Sequence, residues 1–378
     1  MNPVALAIPA FLILIAVEAL IGRARRRSVY RFNDAVANLG IGVSNQVLSS
    51  LFTGALRTAA YVWVYLEFRV WDFETLGLPL AVQWVLGFLG VDFLFYWWHR
   101  ANHRVSVLWA AHVVHHHGED FNLAVALRQP WIIRTTALPL FLLLGVAGVP
   151  PHIYLLSIAL SSLYQFWIHT ELVGRLGPLE WVLNTPSHHR VHHAINGEYL
   201  DRNYGGVFIV WDRLFGTFAQ EQTQPVYGTV AQVTSFNPLW LNFYYFAELG
   251  RRSWSLPDWR DKLKVWFAPP GWTPDGGAAV LCDEQVRSRA EHKYSVDCTP
   301  PRVKAYILVQ LLVSVGVVAA LLVSLETLSP WVIGLTGSWV LLATIVWGGL
   351  FEGKRWAWPL ELGRMLAAAA ILLVAQAG

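Results

Sequence analysis

The stretch VDFLFYWWHRANHRVSVLWAAHVVHHH, residues 91–117, runs from an apolar segment straight into two groups of histidines. Its apolar part closes a candidate span, Leu78 to Trp98, of about the 20 residues that carry a helix across a bilayer. On a helix, residues three and four apart share a face. His99 and His103 therefore point the same way, and His112 with His115 and His116 puts three imidazoles on one face. Uncompensated polar side chains at a membrane boundary are costly. A partner that takes nitrogen, such as iron, zinc, copper or nickel, removes that cost.

Two further groups repeat the pattern. His169 ends Gln165-Phe-Trp-Ile-His169, with glutamine four residues before it, and His189-Arg-Val-His192-His193 follows His188. The predicted ligands are His99, His103, His112, His115, His116, His169, His189, His192 and His193. Nine imidazoles are too many for one ion and enough for two. His117 and His188 point off the ligand face and are read as neighbours of ligands or as surface residues. His152 and His292 are read as structural.

Composition supports a membrane setting. Only 14% of residues are charged, against roughly a quarter in a soluble domain. Eight apolar segments are candidate spans: Val4 to Ile21, Val36 to Leu66 as one tilted helix or two shorter ones, Leu78 to Trp98, Trp131 to Val149, Pro151 to Ile168, Val303 to Leu325, Trp331 to Leu350 and Ala357 to Ala375. The first is read as a retained anchor, because its basic residues follow the apolar run. Arg23, Arg25, Arg26, Arg27 and Arg31 place the loop after it in the cytosol. The next loop, with Glu67, Asp72 and Glu74 against Arg69, falls outside. Counting on puts Arg100, Arg104, Arg128, the region Thr170 to Arg302, and Lys354 with Arg355 inside. The membrane is either a bacterial inner membrane or an endoplasmic reticulum. No basic tract points to nucleic acid, and Cys282 and Cys298 form no disulfide framework or zinc ribbon.

The expected fold is an all-α integral membrane protein: a multi-span helical bundle with a cytosolic helical cap carrying a histidine-rich di-metal site. Its expected parts are N-terminal anchor spans (1–77), a histidine-box catalytic domain (78–272), a cytosolic linker (273–302) and C-terminal spans (303–378). The aromatic patch Pro238 to Leu249 reads equally as a core helix or as one lying on the membrane.

The three boxes HxxxH, HxxHH and HxxHH resemble those of the fatty acid hydroxylase/sterol desaturase superfamily. Longer strings, among them Trp97-Trp98-His99-Arg100, Ala126-Leu127-Arg128-Gln129, Leu183 through His193 and Trp211 through Phe218, resemble its alkylglycerol monooxygenase branch, from about Asp92 to Trp272. The resemblance implies two iron ions, molecular oxygen and a membrane lipid substrate. The branch implies hydroxylation beside the ether oxygen of a glycerol ether lipid, releasing fatty aldehyde, with tetrahydrobiopterin as reductant in animals. One departure stands out: Arg104 follows the first box where the animal pattern has glutamate.

Ligating histidines need an oxygen acceptor for the second N–H. Asp92, two turns before His99 on the same face, and Asp201 and Asn203, soon after the last box, are the foremost candidates for catalytic roles beside the metal. Glu119, Asp120, Asn122, Glu171, Asn184 and Asp212 are further ones, and Arg128 and Gln129 suit a lipid headgroup or a helix cap. No dinucleotide fingerprint is visible, so electrons are expected from an external donor, a pterin or a redox protein. Sterol or fatty-acyl hydroxylation or desaturation is the alternative within the class. A non-enzymatic metal-binding membrane protein or transporter is the alternative outside it, and would place its ligands nearer mid-membrane.

Overall fold

The computed structural model describes residues 3–49, 53–73, 75–276, 280–294, 299–325 and 327–377; Glu74 and Cys298 lie outside them. Regular structure among the described residues is helical, with two isolated bridges joining Leu183 to Phe208 and Ala194 to Tyr227. The N-terminal part holds α1 (Pro3–Ala24), α2 (Phe32–Leu48) and α3 (Gly54–Phe68). The histidine region holds α4 (Leu80–Arg104), α5 (Ser106–His116), α6 (Leu123–Ala126), α7 (Ile133–Val146), α8 (Pro151–Trp167), α9 (Pro186–His192), α10 (Val210–Leu214), α11 (Pro238–Ser255) and α12 (Trp259–Phe267). Then come α13 (Asp283–Glu291), α14 (Pro301–Ser324), α15 (Pro330–Phe351) and α16 (Ala357–Ala377).

Among the described residues, four helices are long and apolar enough to cross a membrane: Ala7–Ala24 of α1, and α4, α14 and α15. Three of the other expected spans are divided or shorter. Val36 to Leu66 is divided between α2 and α3, and α2 buries Asn33, Asp34, Asn38, Ser44 and Asn45. The 14 residues of α7 reach only about 21 Å, short of a hydrocarbon core about 30 Å thick. Average apolarity cannot reveal where a helix breaks. Pro150 and Pro151, which start α8, show the reason: proline is preorganised for a first turn and cannot continue the helix before it. In α16, Arg364 is held by Glu361 at 2.7 Å and Gln310 at 2.7 Å, so its charge is buried but paired.

The two largest apolar cores among the described residues organise the helices. One joins α3, α4, α7 and α8 through Tyr61, Val91, Phe141, Leu144 and Ile153, with Tyr61 stacked on Tyr154 at 3.8 Å. The other joins α2, α14 and α15 through Val36, Ile307, Leu311, Val346 and Trp347. Helix α5 begins where α4 ends and packs on α4, α11 and α12. The mostly irregular chain from 168 to 237, carrying α9 and α10, supplies the remaining histidines.

Candidate metal centre

The nine histidines separate into two groups whose ring nitrogens converge, and each group could hold a metal ion. The first is His99, His103, His112, His116 and His192; the second is His115, His169, His189 and His193. Helical spacing accounts for the division. Residues i and i+4 of each HxxHH box share a group, His112 with His116 and His189 with His193, while the i+3 residue crosses to the other. The three imidazoles expected on one face thus serve two neighbouring sites. The groups touch through His116 and His193, whose rings stack with centroids 4.3 Å apart.

Within the first group, the Nε2 of His112 lies 3.1 Å from those of His99 and His116. In the second, His189 Nε2 lies 2.9 Å from His169 and 3.2 Å from His193, and His115 lies 3.2 Å from His169. Metal–nitrogen bonds of about 2.0–2.1 Å put adjacent ligand nitrogens about 2.8–3.4 Å apart, from square to tetrahedral angles. Hydrogen bonding between the imidazoles cannot explain all of this convergence. The Nδ1 atoms of His99, His115, His169 and His192 face backbone oxygens of Tyr204 (2.8 Å), Arg128 (3.2 Å), Gln165 (2.7 Å) and Arg202 (3.0 Å). A carbonyl only accepts, so each Nδ1 carries the hydrogen and each Nε2 is a bare lone pair. His115 and His169 therefore turn two lone pairs on each other, an arrangement that a cation between them would stabilise. The buried Nε2 atoms of His103 and His192 have no hydrogen-bond partner at all. An all-imidazole donor set fits a first-row transition metal such as iron.

Burial, reinforced by neighbouring imidazoles, holds His112, His116, His189 and His193 well below the ordinary histidine range. They are neutral, the state a ligand needs.

The carboxylates act at one remove. Asp92 reaches no histidine: it accepts from Val207 N (2.7 Å), Phe208 N (3.1 Å) and Trp211 Nε1 (2.9 Å). Asp212 accepts from Tyr204 N at 2.8 Å, Gly205 N at 2.7 Å and Thr217 Oγ1 at 2.7 Å. Asn184 adds a bond to Gly205 O at 2.6 Å. Together they fix the loop whose Tyr204 oxygen receives His99 Nδ1–H. Asn203 bonds His188 O and Ala219 O, at 3.0 and 2.7 Å, rather than an imidazole. Asp201 approaches a ligand most nearly, 4.0 Å from His103 Nδ1, and its other oxygen accepts from Arg104 at 2.7 Å. Both Asp201 and Asn203 have left-handed backbone, with φ of 59° and 56°, a conformation Asp and Asn enter more easily than other side chains.

The remaining candidates serve the scaffold. Arg128 donates to Val114 O and Asn38 while its own carbonyl takes His115. Gln129 bonds Ala126 O, Asn122 caps α6 and Asp120 pairs with Arg31 and Lys293. Glu119 bonds Tyr294 N and lies 3.7 Å from Arg31. Burial raises the Glu171 carboxyl, against a hydrogen bond from Tyr227. His117 and His188 are both buried, and His117 meets the Tyr244 hydroxyl at 3.0 Å. Gln165 spends its amide on Ser161 at 3.0 Å, leaving His169 the single ligand candidate of its helix end. Sequence reasoning missed the aromatic walls. Trp109 lies 4.9 Å from the His103 ring, and Phe121 lies 5.2 Å from His193 and stacks on Tyr227. Nothing in the sequence separates these rings from the many other aromatic residues.

The fatty acid hydroxylase family matches residues 84–217, an interval that contains all nine histidines. That match and the apolar helices define the class: a membrane-associated hydroxylase with a histidine-rich metal site. Similarity to the alkylglycerol monooxygenase of Danio rerio is 37% identity over 95% of this chain and 79% of the relative; for that of Xenopus tropicalis it is 34% over 94% and 79%. Against the human alkylglycerol monooxygenase it is 39% over 67% of this chain and 56% of the relative. The chain belongs to the alkylglycerol monooxygenase family. No solved structure matches it.

Proposed function

We propose that this enzyme is an O2-dependent lipid monooxygenase in which the nine histidines hold two iron ions, five ligands on one and four on the other. The observation that carries the reading is the convergence of nine buried ring nitrogens in two adjacent groups. The iron pair, when bound and reduced, supplies the oxygen-activating chemistry. The protein keeps the imidazoles neutral, aims them through backbone carbonyls and surrounds them with buried rings.

The substrate we propose is an alkylglycerol, supported by similarity to alkylglycerol monooxygenases over nearly the whole chain. One oxygen atom of O2 enters the C–H bond beside the ether oxygen. The other leaves as water, with two electrons and two protons from an external donor. The hemiacetal then breaks its C–O bond, giving fatty aldehyde and glycerol. A tetrahydropterin or a redox protein fills the donor's place. Asp92, Asn203 and Asp201 are positioning residues in this scheme, acting through the 201–212 loop. Placement of the site on the cytosolic face rests on the count of basic loops.

A second reading, acyl-chain hydroxylation, draws support from the match of residues 84–217 to the fatty acid hydroxylase family. Membranes containing the protein, given alkylglycerol and tetrahydropterin, are expected to release fatty aldehyde, and His115→Ala membranes are not. Hydroxylated acyl chains without aldehyde would replace the ether reading with the second.

A further inference from the structure

Helices α11 and α12 form a hairpin with two unlike faces. The inner face packs on α5: Leu249 and Val265 close over Ala110, and Tyr244 meets His117. The outer face is also apolar. On α12, Trp259, Leu263 and Phe267 recur every four residues and are 64%, 56% and 66% exposed. Trp240 and Phe243 continue that surface on α11, and Trp254, the most exposed of them at 86%, stands at the turn. Such a surface on a protein that meets only water would be an association hazard.

Charge points to what covers it. Between Glu248 and Lys264 there are five basic residues, Arg251, Arg252, Arg260, Lys262 and Lys264, against Glu248, Asp258 and Asp261. Three of the cations lie over indole rings: Lys262 over Trp254 at 5.8 Å, Arg260 over Trp259 at 5.6 Å and Lys264 over Trp272 at 4.7 Å. Indole bodies facing acyl chains, with cations at phosphate level, are the pattern of a helix lying in a membrane interface. The surface also continues into the membrane bundle. Phe243 packs edge-on against Trp131 just before α7, and α11 touches α15, one of the membrane-crossing helices.

The hairpin's inner end reaches the metal centre. The Ala268 carbonyl, directly after Phe267, accepts from Ser106 N at 3.0 Å and Ser106 Oγ at 2.8 Å. Trp109 follows within a turn of α5 and packs 4.9 Å from His103 and 5.3 Å from His116.

We propose that the α11–α12 hairpin is immersed in the interfacial layer of an anionic bilayer and forms the portal by which a lipid chain passes beside Trp109 to the first histidine group. The immersion stands on the surface itself; the portal rests on the lipid-oxygenase reading. Both can be tested on the full chain in nanodiscs of phosphatidylcholine and phosphatidylglycerol. With Cys282→Ser and Cys298→Ser as background, an environment-sensitive fluorophore is attached at Leu263→Cys and, for comparison, at Gln220→Cys. Blue-shifted emission quenched by shallow nitroxide lipids at 263 but not at 220 is expected. Water-like emission at 263, or a blue shift without lipid quenching, as a protein–protein contact would give, overturns the immersion whether or not the enzyme turns over. For the portal, Leu263→Glu/Phe267→Glu is expected to raise KM for membrane-embedded alkylglycerol about tenfold, a difference of about 1.4 kcal/mol. Bound iron, kcat and KM for a short-chain soluble alkylglycerol are expected to stay at parent values. An unchanged KM for the embedded lipid, or an equal rise for the soluble one, overturns the portal.

Discussion

Adjacent histidines of one box fall in different groups, and this has a direct consequence for the proposed iron sites. His115→Ala removes a nitrogen from the four-membered group and His116→Ala one from the five-membered group. Each is expected to lower bound iron by roughly half, since a structural ligand is hard to replace. Their residual iron should differ spectroscopically, because different partners remain. Identical spectra from the two variants would mean one shared site. Asp92 makes a second case. Asp92→Ala strands two backbone N–H groups and an indole N–H in a buried loop. Each stranded group costs about 1–3 kcal/mol, so a fall of several degrees in the thermal midpoint is expected, with reduced iron as His99 loses its fixed carbonyl. The pH response follows from burial. His188 is held down at about 4, and His189 and His193 lie well below their ordinary value. Above about pH 6.5 these groups are neutral whether the chain is folded or unfolded. Below it the unfolded, metal-free chain takes up protons that the folded chain refuses. Stability and iron content are therefore expected to be flat from pH 8 to 7 and to fall between about pH 6.5 and 4, as read by melting and metal analysis.

At the scale of elements, close approach sets the tolerance. A Cβ on Gly42 of α2 would lie 2.5 Å from the Leu127 backbone oxygen. Leu127 adjoins Arg128, whose carbonyl orients His115. Gly42→Ala should push α2 from the 127–128 turn and weaken iron binding in the His115 group more than in the His99 group. Spectra showing equal loss in both would separate α2 from the second site. Element boundaries were only partly legible in the sequence. The α4–α5 junction was visible because apolar residues end where histidines begin. Val36 to Leu66 reads as one tilted helix or two shorter ones, and the structure takes the second; the shortness of α7 is not visible, because hydropathy reports average apolarity rather than the points where the backbone must turn.

The whole molecule sets its helical cores around the two histidine groups, and its orientation is open to a direct check. Cys282 is exposed, just before α13. In a Cys298→Ser background, an impermeant thiol reagent is expected to label it in inverted membrane vesicles and not in right-side-out ones, as the basic-loop count requires when α2 and α3 together make one crossing. The reverse pattern would put the histidine cap on the other side.

The sequence by itself determined the membrane class, the helical fold and the nine histidines, because those depend on local quantities: apolar run length, and the spacing that brings i, i+3 and i+4 together. It also carried enough likeness, in strings far longer than the boxes, to point to the family. Tertiary structure decided which histidine shares a site with which, since that depends on how α4, α5, α9 and the end of α8 meet. It also decided what the carboxylates do. Asp92 stands on the face of α4 that its spacing predicts, yet the 207–211 loop folds over it and takes its oxygens. A side chain's direction is set by its own helix; its partner is set by whatever the rest of the chain packs there.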